Sequence, residues 1–158
     1  MKLYKVDNTY INKLRSVDSR VLYNKDSRPY LGVVLKIEKH QYFVPLSSPK
    51  ENKKVNNQLC IKVFEPNNLD NLLGYLMLLN MIPVPSKYLT LIDVESIKTN
   101  DENYYSLVRN QLAFFRNEEQ RIKVKAEKVY KNATEKKVKF IKDMCVNFKV
   151  LEKSIEEN

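Results

Sequence analysis

The apolar residues of this 158-residue chain change their period once, near residue 100, which limits the fold to a sheet-rich part followed by a helical part. Lys2–Val6 alternates apolar and polar side chains and reads as a first strand. Asp7 stands where an N-cap stands, ahead of Tyr10, Ile11 and Leu14, which predicts a short helix over about residues 8–16. Residues 17–29 are polar and include Pro29, as a loop does. Tyr30–Glu38 is rich in β-branched and aliphatic residues, Glu38–Gln41 is a polar turn, and Tyr42–Leu46 runs back as the second arm of a hairpin. Ser47–Gln58 is a basic loop, Leu59–Glu65 alternates as a strand, and Pro66–Asp70 interrupts it. Leu72–Val84, closed by Pro83 and Pro85, reads mainly as strand.

Downstream the spacing is helical: Tyr104, Leu107, Val108, Leu112 and Phe115; then Ile122, Ala126, Val129 and Ala133; then Val138, Ile141, Cys145 and Phe148. Asn132 followed by Glu135 resembles a capping box and predicts a break near residues 131–134. The expectation is one α+β domain over 1–158: a mainly β core with one N-terminal helix over 1–100, then a helical 101–158. The sheet should be small, antiparallel and strongly bent, with helices laid on it.

Composition removes several classes of chemistry. Gly32 and Gly74 are the only glycines, so neither a P-loop nor a dinucleotide fingerprint can be built. Cys60 and Cys145 stand far apart and read as reduced, buried thiols. His40 is the only histidine and falls in the predicted hairpin turn, where it reads as solvated. A zinc site lacks ligands, and no carboxylate pair marks a site for a harder metal, so no cofactor is expected. No run of about 18 apolar residues predicts a membrane span, and MKLYKVDNTY lacks the core of a signal peptide, so a cytoplasmic protein is expected. The net charge of +9 suits a polyanionic partner, and equally an ordinary basic surface.

The segment Phe43-Val44-Pro45-Leu46-Ser47-Ser48-Pro49-Lys50 is where chemistry can be placed. Hydroxyls just past a strand are fixed by the sheet yet open to solvent. Pro49 holds Ser48 extended, and Lys50, with Lys53 and Lys54 behind it, brings positive charge. The same residues also read as a Ser/Pro turn with a solvated basic loop. Arg28 ends the preceding loop, and Tyr10 lies on the first helix, where a half-buried core tyrosine is the commoner fate.

These features together resemble the ToxN/AbiQ family, the RNase toxins of type III toxin–antitoxin systems. The resemblance rests on the Met1-Lys2-Leu3-Tyr4 strand, Tyr10, Tyr30-Leu31-Gly32-Val33-Val34-Leu35, the Tyr42–Lys50 segment and Met81-Ile82-Pro83. It extends from residue 1 to about residue 117; the C-terminal helices match in character. The Pro-Leu-Ser-Ser-Pro-Lys stretch is its most specific part. The resemblance implies a bent, barrel-like sheet related to the MazF/Kid toxins. It implies metal-independent cutting of single-stranded RNA to 2′,3′-cyclic phosphate and 5′-hydroxyl ends. It further implies inhibition by a repeated RNA pseudoknot, which the toxin processes and with which it closes a protein–RNA assembly, and a role in phage defence by abortive infection. The family's active-site positions fall on Tyr10, Arg28, Ser47, Ser48 and Lys50. A lysine is familiar where this chain has Arg28, and a threonine where it has Ser47; an arginine there holds charge but cannot serve as a base.

RNA carries its own nucleophile, the 2′-hydroxyl, so such an enzyme need only align it and manage charge and protons. Arg28 and Lys50 are expected to stabilise charge on the phosphate, Ser48 and Ser47 to place it, and Tyr10 to position the sugar or phosphate or to move a proton. Tyr23, Tyr30 and Tyr42 are candidate stacking platforms for bases, with Lys53 and Lys54 as backbone contacts; packing explains each tyrosine as well. Two other functions fit the same charge and aromatics: a non-catalytic RNA- or DNA-binding regulator, and an interaction module kept soluble by its basic faces.

Overall fold

In the computed structural model, which describes residues 1–24, 28–49 and 54–156, the alternation of Lys2–Val6 becomes β1, and Asp7 caps α1 (Asn8–Val17) through its side chain, which accepts from the Tyr10 N–H at 3.0 Å. The hairpin follows as β2 (Tyr30–Ile37) and β3 (His40–Ser47). Its turn is two residues, Glu38 and Lys39, with Glu38 at φ 53°. Then come β4 (Cys60–Glu65), β5 (Asn68–Met77), β6 (Ile82–Pro83) and β7 (Leu89–Leu91). The helical part is α2 (Val94–Asn100), α3 (Glu102–Asn117), α4 (Glu119–Thr134), α5 (Lys139–Met144) and α6 (Phe148–Glu156).

Seven antiparallel strands form one sheet in the order β4-β5-β3-β2-β1-β7, with β6 also on β3. The barrel implied by the resemblance does not close among the described residues. β7 is three residues long and ends the sheet on β1, and no ladder joins it to β4. β3 is the hinge of the arrangement. Residues 40–45 pair with β2, Tyr42 and Phe43 pair on the other side with β6, and the last two residues pair with β5, so the sheet turns where Leu46 and Ser47 lie.

Three expectations change. Leu72–Val84 is not one strand: β5 ends at Met77, a 3₁₀ turn covers Leu78–Asn80, and only Ile82–Pro83 returns to the sheet. The break near Thr134 is a closing turn rather than a new cap: the Glu135 and Lys136 N–H groups both donate to the Lys131 carbonyl, and Lys137 takes φ 50°. His40 is buried in β3, and its Nε2 lies 3.0 Å from Oε1 of Glu156 on α6.

α6 is fixed to the sheet by a second carboxylate. Glu152 is buried, and its Oε2 accepts from Tyr42 at 2.6 Å and Tyr130 at 2.7 Å. Those two rings pack edge-on at 5.6 Å, and both meet Phe148. A buried carboxylate is tolerable because two hydroxyls satisfy it. Cys60 and Cys145 are both buried. Among the described residues no helix is long and apolar enough to cross a membrane.

Gly32 lies under a ring: a Cβ there would stand 2.1 Å from Cδ1 of Phe43, whose side chain is buried. Gly32→Ala is expected to destabilise the protein by about 1–3 kcal/mol through overpacking. Pairing it with Phe43→Leu should recover part of the loss, measured by urea unfolding.

Candidate active site at the end of strand β3

Leu46 and Ser47 are positioned from both sides. On one side, the Leu46 N–H donates to the Pro29 carbonyl at 3.0 Å, and the Arg28 guanidinium donates from Nη1 to the Leu46 carbonyl at 2.7 Å. Arg28 is itself held: its backbone N–H donates to Oδ1 of Asn24 at 3.1 Å, and the Asn24 amide donates to the Val6 carbonyl at 3.1 Å. On the other side, Ser47 is in register with Tyr75 of β5. Gly74 makes that approach feasible, since a Cβ there would sit 2.8 Å from the Ser47 carbonyl oxygen, and its φ is 153°. The Gln111 amide of α3 donates to the Leu73 carbonyl at 3.2 Å and covers the same corner.

The structure therefore brings Arg28 to Ser47, with Ser48 exposed directly beyond the strand. Lys50 and Lys53 lie outside the described residues; Lys54 is exposed. Tyr10 is drawn elsewhere. Its ring is buried and stacks on Tyr88 at 4.4 Å, and its hydroxyl donates to the Pro83 carbonyl at 2.5 Å. Pro83 stands opposite Tyr42, roughly 16 Å of extended chain from Ser47 at the usual rise per residue. Burial, then the neighbouring Tyr88, pushes the Tyr10 phenol above its ordinary value, so it keeps its proton.

The stacking role expected of Tyr30 and Tyr42 is corrected. Both have 0% exposure, which leaves no ring face for a base, and Tyr42 spends its hydroxyl on Glu152. Tyr23 is 56% exposed, with the Arg15 guanidinium 5.6 Å from its ring centre. One cation was not legible from spacing: Lys62 of β4 pairs with Tyr75, which pairs with Ser47, so all three share a row across the sheet. Only the strand register reveals it.

Two buried donors at this corner have no partner among the described residues: Arg28 Nε and the Tyr30 hydroxyl. They are electrostatically coupled. Burial raises the Tyr30 phenol above its ordinary value, while the Arg28 charge draws it down. An unpaired buried donor costs about 1–3 kcal/mol, and such groups gather where a ligand supplies the missing acceptor. The arrangement is a fixed cation beside a serine pair at a strand end, which suits an anionic group with several oxygens.

A family profile described as "Toxin ToxN, type III toxin-antitoxin system" matches residues 2–156. The chain is 40% identical to the endoribonuclease ToxN of Bacillus thuringiensis subsp. kurstaki, over 99% of this chain and 83% of that protein. It is 32% identical to the endoribonuclease AbiQ of Lactococcus lactis subsp. lactis, over 96% and 86%. A solved structure concerning selective toxin inhibition by a non-coding RNA pseudoknot in bacterial type III toxin–antitoxin systems superposes with TM-score 0.91 at 40% identity, covering 99% of this chain and 96% of that one. A structure of AbiQ, described as a lactococcal anti-phage endoribonuclease, superposes with TM-score 0.86 at 32% identity, covering 97% and 94%.

The two tyrosines make a matched test. Tyr30→Phe removes a buried hydroxyl with no partner among the described residues and should leave the thermal midpoint unchanged or raise it. Tyr42→Phe removes a buried bond to a carboxylate and should cost about 1.5–3 kcal/mol. Differential scanning fluorimetry and urea unfolding compare the two.

Proposed function

The chain belongs to the ToxN family of type III toxin–antitoxin toxins, and from that premise we propose that it is a metal-independent endoribonuclease acting at the Arg28–Ser47–Ser48 corner. The observation that carries the reading is the Arg28 guanidinium anchored on the Leu46 carbonyl beside the serine pair. The reaction is attack of a ribose 2′-hydroxyl on the adjacent phosphorus. A new O–P bond forms as the bond to the departing 5′-oxygen breaks, leaving a 2′,3′-cyclic phosphate and a 5′-hydroxyl.

Arg28 stays protonated and stabilises the charge that builds on the non-bridging oxygens. Ser48 donates to the scissile phosphate, Ser47 helps to place it, and Lys50 adds a second positive charge. Tyr10 acts at one remove, tying α1 to β6 so that the sheet beneath the site stays in register. Aligning nucleophile and leaving group can supply roughly 7–11 kcal/mol of the barrier without an ionised base.

The partner that silences it is a repeated RNA pseudoknot, cut from a precursor by the toxin and closing an assembly with it. The biological outcome is phage defence by abortive infection, in the cytoplasm. An RNA contact of this kind weakens steeply with salt, because it releases counterions.

The test is incubation of the purified protein with single-stranded RNA in EDTA, followed by end-group mapping. Cyclic phosphate and 5′-hydroxyl ends are expected. Ser48→Ala, Arg28→Ala and Lys50→Ala should each slow cutting by about 10²–10³ while antitoxin RNA still binds. Unchanged killing by all three variants, or 3′-hydroxyl ends, would overturn the reading.

A further inference from the structure

A groove between the segment leading into β4 and helices α4 and α5 takes no part in the chemistry above. It encloses about 570 Å³, within the roughly 300–1,000 Å³ usual for small-ligand sites. Its floor includes Val124 and Val138, which are 56% and 41% exposed. The three ionisable side chains that line it, Arg121, Lys125 and Lys128, are all basic. Asn132 adds an amide that can both donate and accept.

Lys125 is held in place rather than left to swing in solvent. Its Nζ donates to the Cys60 carbonyl at 2.8 Å and to the Asn57 carbonyl. An ammonium has three N–H donors, so one remains for the groove. Desolvation, then the charges of Arg121 and Lys128, hold its pKa below the ordinary lysine value. Positive groups are crowded here, and an anion between them relieves the crowding. The Glu118 carboxylate meets Arg121 at Nε, 3.0 Å away, on the exposed side of α4.

The strand register sets the distance to the candidate active site. Cys60 is opposite Met77, and Ser47 is opposite Tyr75, two residues along β5 and across two strand spacings. With about 4.8 Å between strands and 3.4 Å per residue, Cys60, whose carbonyl accepts from Lys125, lies about 12 Å from Ser47, and the groove's own Asn57 and Gln58 come just before it in the chain. That is a span of a few nucleotides. α3 covers the Ser47 corner, and α4 follows it directly across Glu118.

We propose that this groove is a nucleotide subsite for the RNA strand being cut, seating one base on Val124 and Val138 and the adjoining phosphate on Lys125 and Lys128. The proposal rests on the endoribonuclease reading and extends it: the enzyme grips single-stranded RNA a few nucleotides from the scissile bond, by apolar contact and charge together.

The test uses fluorescein-labelled 2′-O-methyl RNA, which cannot be cut, in lengths of three and eight nucleotides, with binding read by anisotropy. The wild-type protein should bind the longer strand more tightly. Val124→Glu and Lys128→Gln, both at positions outside the core, should each shrink that length advantage about tenfold, the size of one lost charge-assisted contact. Circular dichroism melting checks that both variants fold. Equal affinity of the wild-type protein for the two lengths, or a length advantage kept in both variants, would contradict the proposal. A length advantage lost in both variants of a protein that cuts no RNA would keep the groove and discard the endoribonuclease reading.

Discussion

The backbone of Leu46 is held twice by the segment that precedes β2: its N–H by the Pro29 carbonyl and its carbonyl by the Arg28 guanidinium. This double tie, with the pairing of Leu46 and Ser47 to β5 on the other side, fixes where β3 ends. Ser48 therefore leaves the sheet at a fixed point with the Arg28 guanidinium alongside. The tie reaches back through Asn24 to the Val6 carbonyl, so the loop before β2 and the end of β1 share one hydrogen-bonded chain. A guanidinium that spends one donor on the fold suits phosphate chemistry, because its geometry is set before the ligand arrives.

The helical third supplies the other constraint. Two carboxylates of α6, Glu152 and Glu156, meet Tyr42 and His40 at alternate positions along β3. The helix therefore grips the first half of the strand whose last half carries the candidate site. The His40 hydrogen bond is the first cause holding the Glu156 carboxyl below its ordinary value. That contribution is present above the usual carboxylate range and is lost as pH falls through the lowered value. Because the apolar stripes of α3 and α4 are used against the sheet, their basic faces are left outward, where RNA can reach them.

Much of this was legible in the residues. The alternation of Lys2–Val6, the Asp7 cap and the Tyr30 hairpin declare themselves locally, because period and capping depend on neighbours in the chain. The end of β3 was legible too, since Ser48 and Pro49 mark where the apolar run of the strand stops. What stayed hidden depends on partners distant in sequence. His40 looked like a turn residue until Glu156 came to meet it, 116 residues away. Tyr42 looked available for stacking until Glu152 and Phe148 enclosed it. β7 is three residues long and carries no period of its own; it exists because β1 offers it an edge. Lys62 joins the row of Ser47 only through register.

The central claim is that a phosphate of single-stranded RNA is held between the Arg28 guanidinium and the Ser48 hydroxyl, where a 2′-hydroxyl can attack it. A crystal structure with an RNA strand carrying a 2′-deoxy nucleotide at the cleavage position tests this most directly. Non-bridging oxygens are expected within hydrogen-bond distance of the Arg28 guanidinium and Ser48 Oγ. A scissile phosphate seated away from this corner, out of reach of the Arg28 guanidinium, would contradict it.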